Sequence, residues 1–119
     1  MHDYRKLDVW TMSQRFVRDL YLATQSFPTR EQFGLTRQLR RAAVSIPSNI
    51  AEGAGRGGRK EFARFIRIAA GSACEVDTHL QIGLDLGYLD FEQHARPGSV
   101  LETIKARLGG LERSLTAKP

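Results

Sequence analysis

Apolar residues return every three or four positions in four stretches of the chain, and none alternates with period two as a half-buried strand would. The pattern predicts an all-α protein. The first stretch carries Val9, Met12, Phe16, Leu20, Ala23 and Phe27, with Asp8 placed as N-cap and Pro28 as the stop. The second carries Leu35, Leu39, Ala42, Ile46 and Ile50, and its phase continues through Pro47. One helix kinked at Pro47 is expected there, because proline has no N–H for the Ala43 carbonyl and its ring crowds that oxygen. Two helices separated by a break are the alternative. Gly53, Gly55, Gly57 and Gly58 are expected to end the second helix in a tight turn. The third stretch has Phe62, Phe65, Ala69, Ser72, Ala73, Val76, Leu80, Gly83 and Leu84 on one face, with Gly87 as its stop. A fourth opens at Asp90 and holds Phe91, Leu101, Ile104, Leu108, Leu111 and Leu115, with Pro97 and Gly98 expected to interrupt its start.

Short connections make successive helices antiparallel, which gives an up-down-up-down four-helix bundle. A long helical hairpin completed by oligomerisation is the competing arrangement. The 119 residues suit one domain, taken as 1–119. A second stripe on helix three, Ile68, Ile82, Leu86 and Leu89 with Glu75 and His79 beside it, lies outside one bundle core, as do Val17 and Tyr21 of helix one. Apolar surface left over in this way points to a homo-oligomer. No apolar run approaches the roughly 20 residues of a membrane span, and Met1 to Lys6 is polar, so a cytoplasmic protein with no membrane partner is expected.

Charge sharpens the picture. Eighteen basic and 13 acidic residues leave a net charge of +5. Residues 30 to 67 hold nine of those basic residues against Glu31, Glu52 and Glu61, so that stretch is +6 and the remainder −1. Such a concentration favours a polyanionic partner, RNA or DNA.

Candidate chemistry is sparse. Gly53, Gly55 and Gly58 match G-x-G-x-x-G, but a dinucleotide fingerprint works between a strand and a helix, and here a helix precedes it. The phosphate-loop pattern fails because Arg59 and Lys60 follow Gly58. A di-metal bundle needs inward Glu-x-x-His pairs on two helices, whereas Glu75 and His79 stand four apart, and Cys74 with His2, His79 and His94 shows no zinc spacing. Cys74 reads as a small packed residue rather than a nucleophile. No catalytic residue, metal or cofactor is therefore expected. Ser45, Asn49 and Glu52 line one helix and Ser72, Glu75 and His79 the next, so Asn49, Glu52 and Glu75 read as structural polar groups bonded across the hairpin. A binding or enzymatic pocket around Glu52 and Glu75 is the sharper alternative.

The stretch Gln38 to Arg56, QLRRAAVSIPSNIAEGAGR, followed by KEFARFIRIAAGSACEVDTHLQIGLDLGYL from Lys60 to Leu89, closely resembles the family called four helix bundle protein, or ribosomal RNA intervening-sequence protein. The likeness extends to Tyr4, Leu7, Val9 and Trp10 and to the Phe27, Pro28, Glu31, Gly34 and Leu35 turn, and is looser over the last thirty or so residues, where Pro97 and Gly98 depart from an uninterrupted fourth helix. Members are encoded within insertions in bacterial large-subunit ribosomal RNA genes or elsewhere in the chromosome, and most have no assigned molecular role. The accessory variability determinant of diversity-generating retroelements is similar in fold. It is a homopentamer that binds nucleic acid and its reverse transcriptase, so the resemblance implies a pentamer and a comparable partner here.

Folding helices two and three back about Gly57 sets an expected register. Arg37, Arg40 and Arg41 then lie near Glu75 and Asp77 and are expected in ion pairs. Arg56, Arg59, Lys60 and Arg64 fall at the turn, with Arg5, Lys6, Arg113 and Lys118 brought alongside, and form the expected nucleic-acid-binding pole. The leading expectation is a non-enzymatic oligomeric protein binding nucleic acid through that pole. A scaffold module that binds another protein, with no nucleic-acid role, is the alternative.

Overall fold

A computed structural model describes residues 3–118; His2 lies outside them. Among the described residues there are four long helices and no strand: α1 (Asp8–Ala23), α2 (Leu35–Gly55), α3 (Arg59–Asp85) and α4 (Phe91–Thr116). Each packs on its neighbours in sequence, and α1 also meets α4, which closes an antiparallel bundle. Its core includes Leu39, Ile46 and Ile50 of α2, Phe62, Ile66 and Leu80 of α3, and Leu101, Ile104 and Leu108 of α4, all essentially inaccessible.

The ends of the helices depart from the expected ones. Asp8 is not the N-cap: that position is Leu7, which supplies no side-chain bond, and Asp8 is the first helical residue. Its carboxylate favours the positive end of α1 and accepts from Arg107 Nη1 at 3.3 Å. α1 also stops at Ala23, well before Pro28. Tertiary contacts set that end, because Arg40 Nε donates to Thr24 Oγ1 at 2.9 Å while the same hydroxyl donates to the Leu20 carbonyl at 2.9 Å. Phe27 reaches the core from beyond a short 3-10 turn.

α2 runs unbroken through Pro47, which excludes two helices with a break. Next to the proline, Ser48 Oγ donates to the Val44 carbonyl at 2.8 Å and Asn49 Nδ2 to the Ser45 carbonyl at 2.8 Å. Continuity is what the structure establishes at Pro47, and a kink stays an expectation from proline chemistry. The glycine run divides by role. Gly53 and Gly55 belong to α2, and the chain turns at Gly57, whose φ of +94° suits glycine. Gly53 is a packing residue, since a Cβ there would lie 2.6 Å from Phe65 Cβ.

α3 ends as expected at Gly87, with φ +78°. Tyr88 N donates to the Gly83 carbonyl at 2.8 Å and Gly87 N to the Leu84 carbonyl at 3.0 Å, the paired bonds of a Schellman cap. α4 opens with a capping box in which Asp90 Oδ1 accepts from Gln93 N at 2.8 Å and Gln93 Oε1 from Asp90 N at 2.9 Å. Pro97 and Gly98 do not interrupt it; the helix continues through both. Its apolar face, Leu101, Ile104, Leu108 and Leu115, is buried in the shared core and holds the backbone helical against local preference.

Among the described residues two buried side-chain atoms have no partner, Thr36 Oγ1 and His79 Nδ1. Thr36 Oγ1 sits inside the bundle without a hydrogen bond. Replacing Thr36 with Val keeps the shape and removes an unsatisfied hydroxyl, so Thr36→Val is expected to stabilise the fold by about 1 kcal/mol. A urea midpoint at or below that of the parent would contradict this.

Candidate nucleic-acid interface

The antiparallel order gathers the start of α1, the end of α2, the start of α3 and the end of α4 at one pole. Arg56, Arg59, Lys60 and Arg64 all stand there, exposed at the residue level, but their guanidinium and ammonium groups are engaged differently. Arg59 Nη2 donates to the Ser114 carbonyl at 2.6 Å and its Nε to the Leu115 carbonyl at 3.3 Å. It therefore caps the negative end of α4, where a cation is favoured. Arg56 pairs with Glu52 at 3.0 Å and Arg64 with Glu61 at 3.0 Å. The hydrogen bond from Arg64 holds the Glu61 carboxylate below its ordinary range. Both guanidiniums also lie over the Phe65 ring, at 5.1 and 4.6 Å from its centroid.

Among the described residues Lys60, Lys6, Arg113 and Lys118 make no salt bridge, although the charge of Lys60 helps to lower the pKa of Glu61. Arg5 stacks over Tyr4 at 5.4 Å. The N-terminus of α3 has no side-chain cap at Gly58, so its first amides are open to an outside acceptor.

The polar seam between α2 and α3 is only partly as expected. Ser45 Oγ and Ser72 Oγ are 2.7 Å apart, and Asn49 Nδ2 donates to Ser45 Oγ at 2.9 Å, so Asn49 joins a bridge between the two helices. Glu52 turns to Arg56, and Glu75 is exposed with no partner among the described residues. His79 Nδ1 is buried without a bond.

The expected pairing of Arg37, Arg40 and Arg41 with Glu75 and Asp77 is not present. Arg40 reaches α1 instead, donating to the Tyr21 carbonyl at 3.1 Å with its guanidinium over the Tyr21 ring at 4.5 Å. Asp77 faces α4 and accepts from Lys105 Nζ at 2.9 Å. Lys105 also bonds Glu102 at 2.8 Å, and these two carboxylates raise its pKa above the ordinary lysine range. Arg37 and Arg41 are exposed and unpaired among the described residues. The cause is rotation about the helix axes: residues level along the hairpin point to different neighbours.

On the outer face of α3, Ile68, Ile82 and Leu86 are 40, 39 and 55 % exposed, and Tyr21 of α1 is 42 % exposed. Leu89, by contrast, is buried in the core. Between Ile68 and Ile82 the same side carries the exposed Glu75 and the half-buried His79. A cleft between α1 and α4 joins residues far apart in the chain and has no local sequence signal. Among the described residues no group of three His, Cys, Asp or Glu side chains is placed to hold a metal, and no helix is long and apolar enough to cross a membrane.

Fold and pole together define a small antiparallel four-helix bundle with a cation-rich end and an unpartnered outer stripe. The model of the 23S rRNA-intervening sequence protein family matches residues 5–110, and the chain belongs to that family. No curated protein matches it.

Proposed function

We propose that this chain is a non-enzymatic homo-oligomer, five copies being the number the resemblance implies, that binds RNA or DNA phosphates through its basic pole. The observation that carries the reading is the excess of cations over carboxylates at the end of the bundle marked by Gly57. Among the described residues Lys60, Lys6, Arg113 and Lys118 make no salt bridge, while Arg56 and Arg64 are held only by exposed pairs. Exposed pairs are worth at most about 1 kcal/mol, so a phosphate can take over either arginine cheaply. Arg59 supports the pole structurally, through α4. Self-association would use the α3 stripe around Ile68 and Ile82.

The test is fluorescence anisotropy with labelled RNA and duplex DNA across a salt series, with sedimentation equilibrium on the same samples. Changing Arg56, Lys60 and Arg64 together to Gln should weaken binding roughly 100-fold or more at 0.1 M salt and reduce the salt slope by about 2 to 3. The oligomer should survive. No binding by the parent at low salt would end the nucleic-acid reading and leave the protein-assembly module, which the exposed α3 stripe favours. A monomer at micromolar concentration would end the oligomer.

A further inference from the structure

Away from the basic pole, α1 and α4 do not close completely on each other. Between the second half of α1 and the first turns of α4 lies an open cleft of about 470 Å³. Phe16, Leu20 and Pro97 line it, and Leu22 and Val100 contribute apolar surface that is 59 and 37 % exposed. The groove continues along both helices past Met12 and Thr103 to Arg107, in a second depression that shares Phe16, Asp19 and Val100 with the first. α1 spans its length, about 24 Å at 1.5 Å per residue, enough for four turns of a bound helix.

Its polar lining is rich in acceptors. Asp19, Asp90 and Glu92 bring three carboxylates, against one cation, Arg96. Asp19 has only an exposed contact with Arg18 at 3.5 Å, and Glu92 has no ion pair among the described residues. Asp90 uses one oxygen on the capping box. Pro97 adds a fourth acceptor, because it has no N–H for the carbonyl of Gln93, which lines the same cleft. Further along, Arg15 and Arg107 balance Asp8 and Asp19, and Arg107 Nη1 donates to Asp8 at 3.3 Å. The groove is therefore apolar along its length, acidic at one end and charge-balanced at the other, on a molecule whose net charge is +5.

We infer that the α1–α4 groove docks an amphipathic helical segment of another protein, with apolar side chains laid against Phe16, Leu22 and Val100 and an arginine- or lysine-bearing end held by Asp19, Asp90 and Glu92. An excess of carboxylates over cations selects a cationic donor, and an apolar groove of this length selects a helix face. Charge also makes the site selective, since a cationic segment is repelled by the molecule as a whole and attracted only where the local sign reverses.

The experiment uses the full chain and two labelled synthetic peptides of one leucine-faced helical design, one with arginines at a single end and the other with glutamates in their place. Anisotropy is expected to show the arginine peptide binding at least 10-fold more tightly. The double variant D19N/E92Q should lose about 10-fold for that peptide, and Val100→Ser should lose a comparable amount. The basic-pole variant K60Q should lose nothing. Equal affinity for both peptides, preference for the glutamate peptide, or indifference to D19N/E92Q would overturn the proposal. Sedimentation of D19N/E92Q provides the remaining arm: an unchanged oligomer agrees with the proposal, whereas its dissociation would assign the groove to a second copy of this chain and overturn it.

Discussion

Replacing Gly53 with alanine is expected to destabilise the bundle by about 2 kcal/mol, whereas the same change at Gly55, two residues later in the same helix, is expected to stabilise it by about 0.5 to 1 kcal/mol. Both glycines belong to the last turn of α2, Gly55 as its final residue, so alanine brings a propensity gain at each, the smaller one at Gly55. What differs is the neighbourhood. A Cβ at Gly53 would stand 2.6 Å from Phe65 Cβ, 3.0 Å from Phe62 Cδ1 and 3.3 Å from the Phe62 carbonyl oxygen, whereas at Gly55 nothing lies within 4 Å. The nearest obstacle is a Cβ fixed to the α3 backbone, not the tip of a flexible chain. Relief requires α2 and α3 to move apart where Ile50, Phe62 and Ile66 are fully buried. Overpacking of this kind costs about 1 to 3 kcal/mol and here should outweigh the propensity gain. Urea unfolding at one fixed protein concentration reads the comparison, because association would otherwise shift the midpoints. A G53A midpoint at or above that of G55A would refute the close-packing role.

Helix existence and order were legible because a 3.6-residue apolar period survives over each segment. Leu39, Ile46 and Ile50 keep phase across Pro47, and the helix is continuous there. Helix ends were less legible, because partners remote in sequence set them. Thr24 ends α1 with help from Arg40, and Glu31 Oε1 accepts from Leu35 N at 3.1 Å at the start of α2 while its Oε2 accepts from Tyr88 OH at 2.9 Å. Each arrangement depends on a remote partner, Arg40 in one and Tyr88 in the other, that no local pattern records. The same holds for the basic pole. Its position follows from the topology, but the engagement of Arg59 depends on where the last turn of α4 presents the Ser114 and Leu115 carbonyls, and spacing within α3 carries no record of that. The groove between α1 and α4 joins residues some 75 apart in sequence, Asp19 and Arg96 among them, and only the closed bundle reveals it.

Ile104→Ala should cost about 3 to 4 kcal/mol and should loosen α4 before the other helices. α4 contains Pro97, Gly98, Gly109 and Gly110, and a proline in a helix interior costs about 3 kcal/mol relative to alanine and each glycine about 1. Its backbone has thus less intrinsic reason to be helical than any other segment of the chain. The Asp90 and Gln93 capping box and the Arg59 cap return part of that cost at the two ends. Docking must offset the rest, and the side chains available for it are Leu101, Ile104, Leu108 and Leu115, of which the first three are fully buried. Ile104 lies in the middle of this row, a turn from Leu101 and another from Leu108, so truncating it leaves a cavity where the helix depends most on contact. The pair of Lys105 with Asp77 and that of Arg67 with Glu112 at 3.2 Å lie on the accessible side of the α3–α4 seam and cannot compensate. Hydrogen exchange followed residue by residue is the discriminating measurement. In Ile104→Ala, the amides of 99 to 113 should lose protection before those of α2 and α3. Uniform loss of protection across all four helices would mean that α4 is not the least stable unit, and a destabilisation under about 1 kcal/mol would mean that its docking is not what holds it helical.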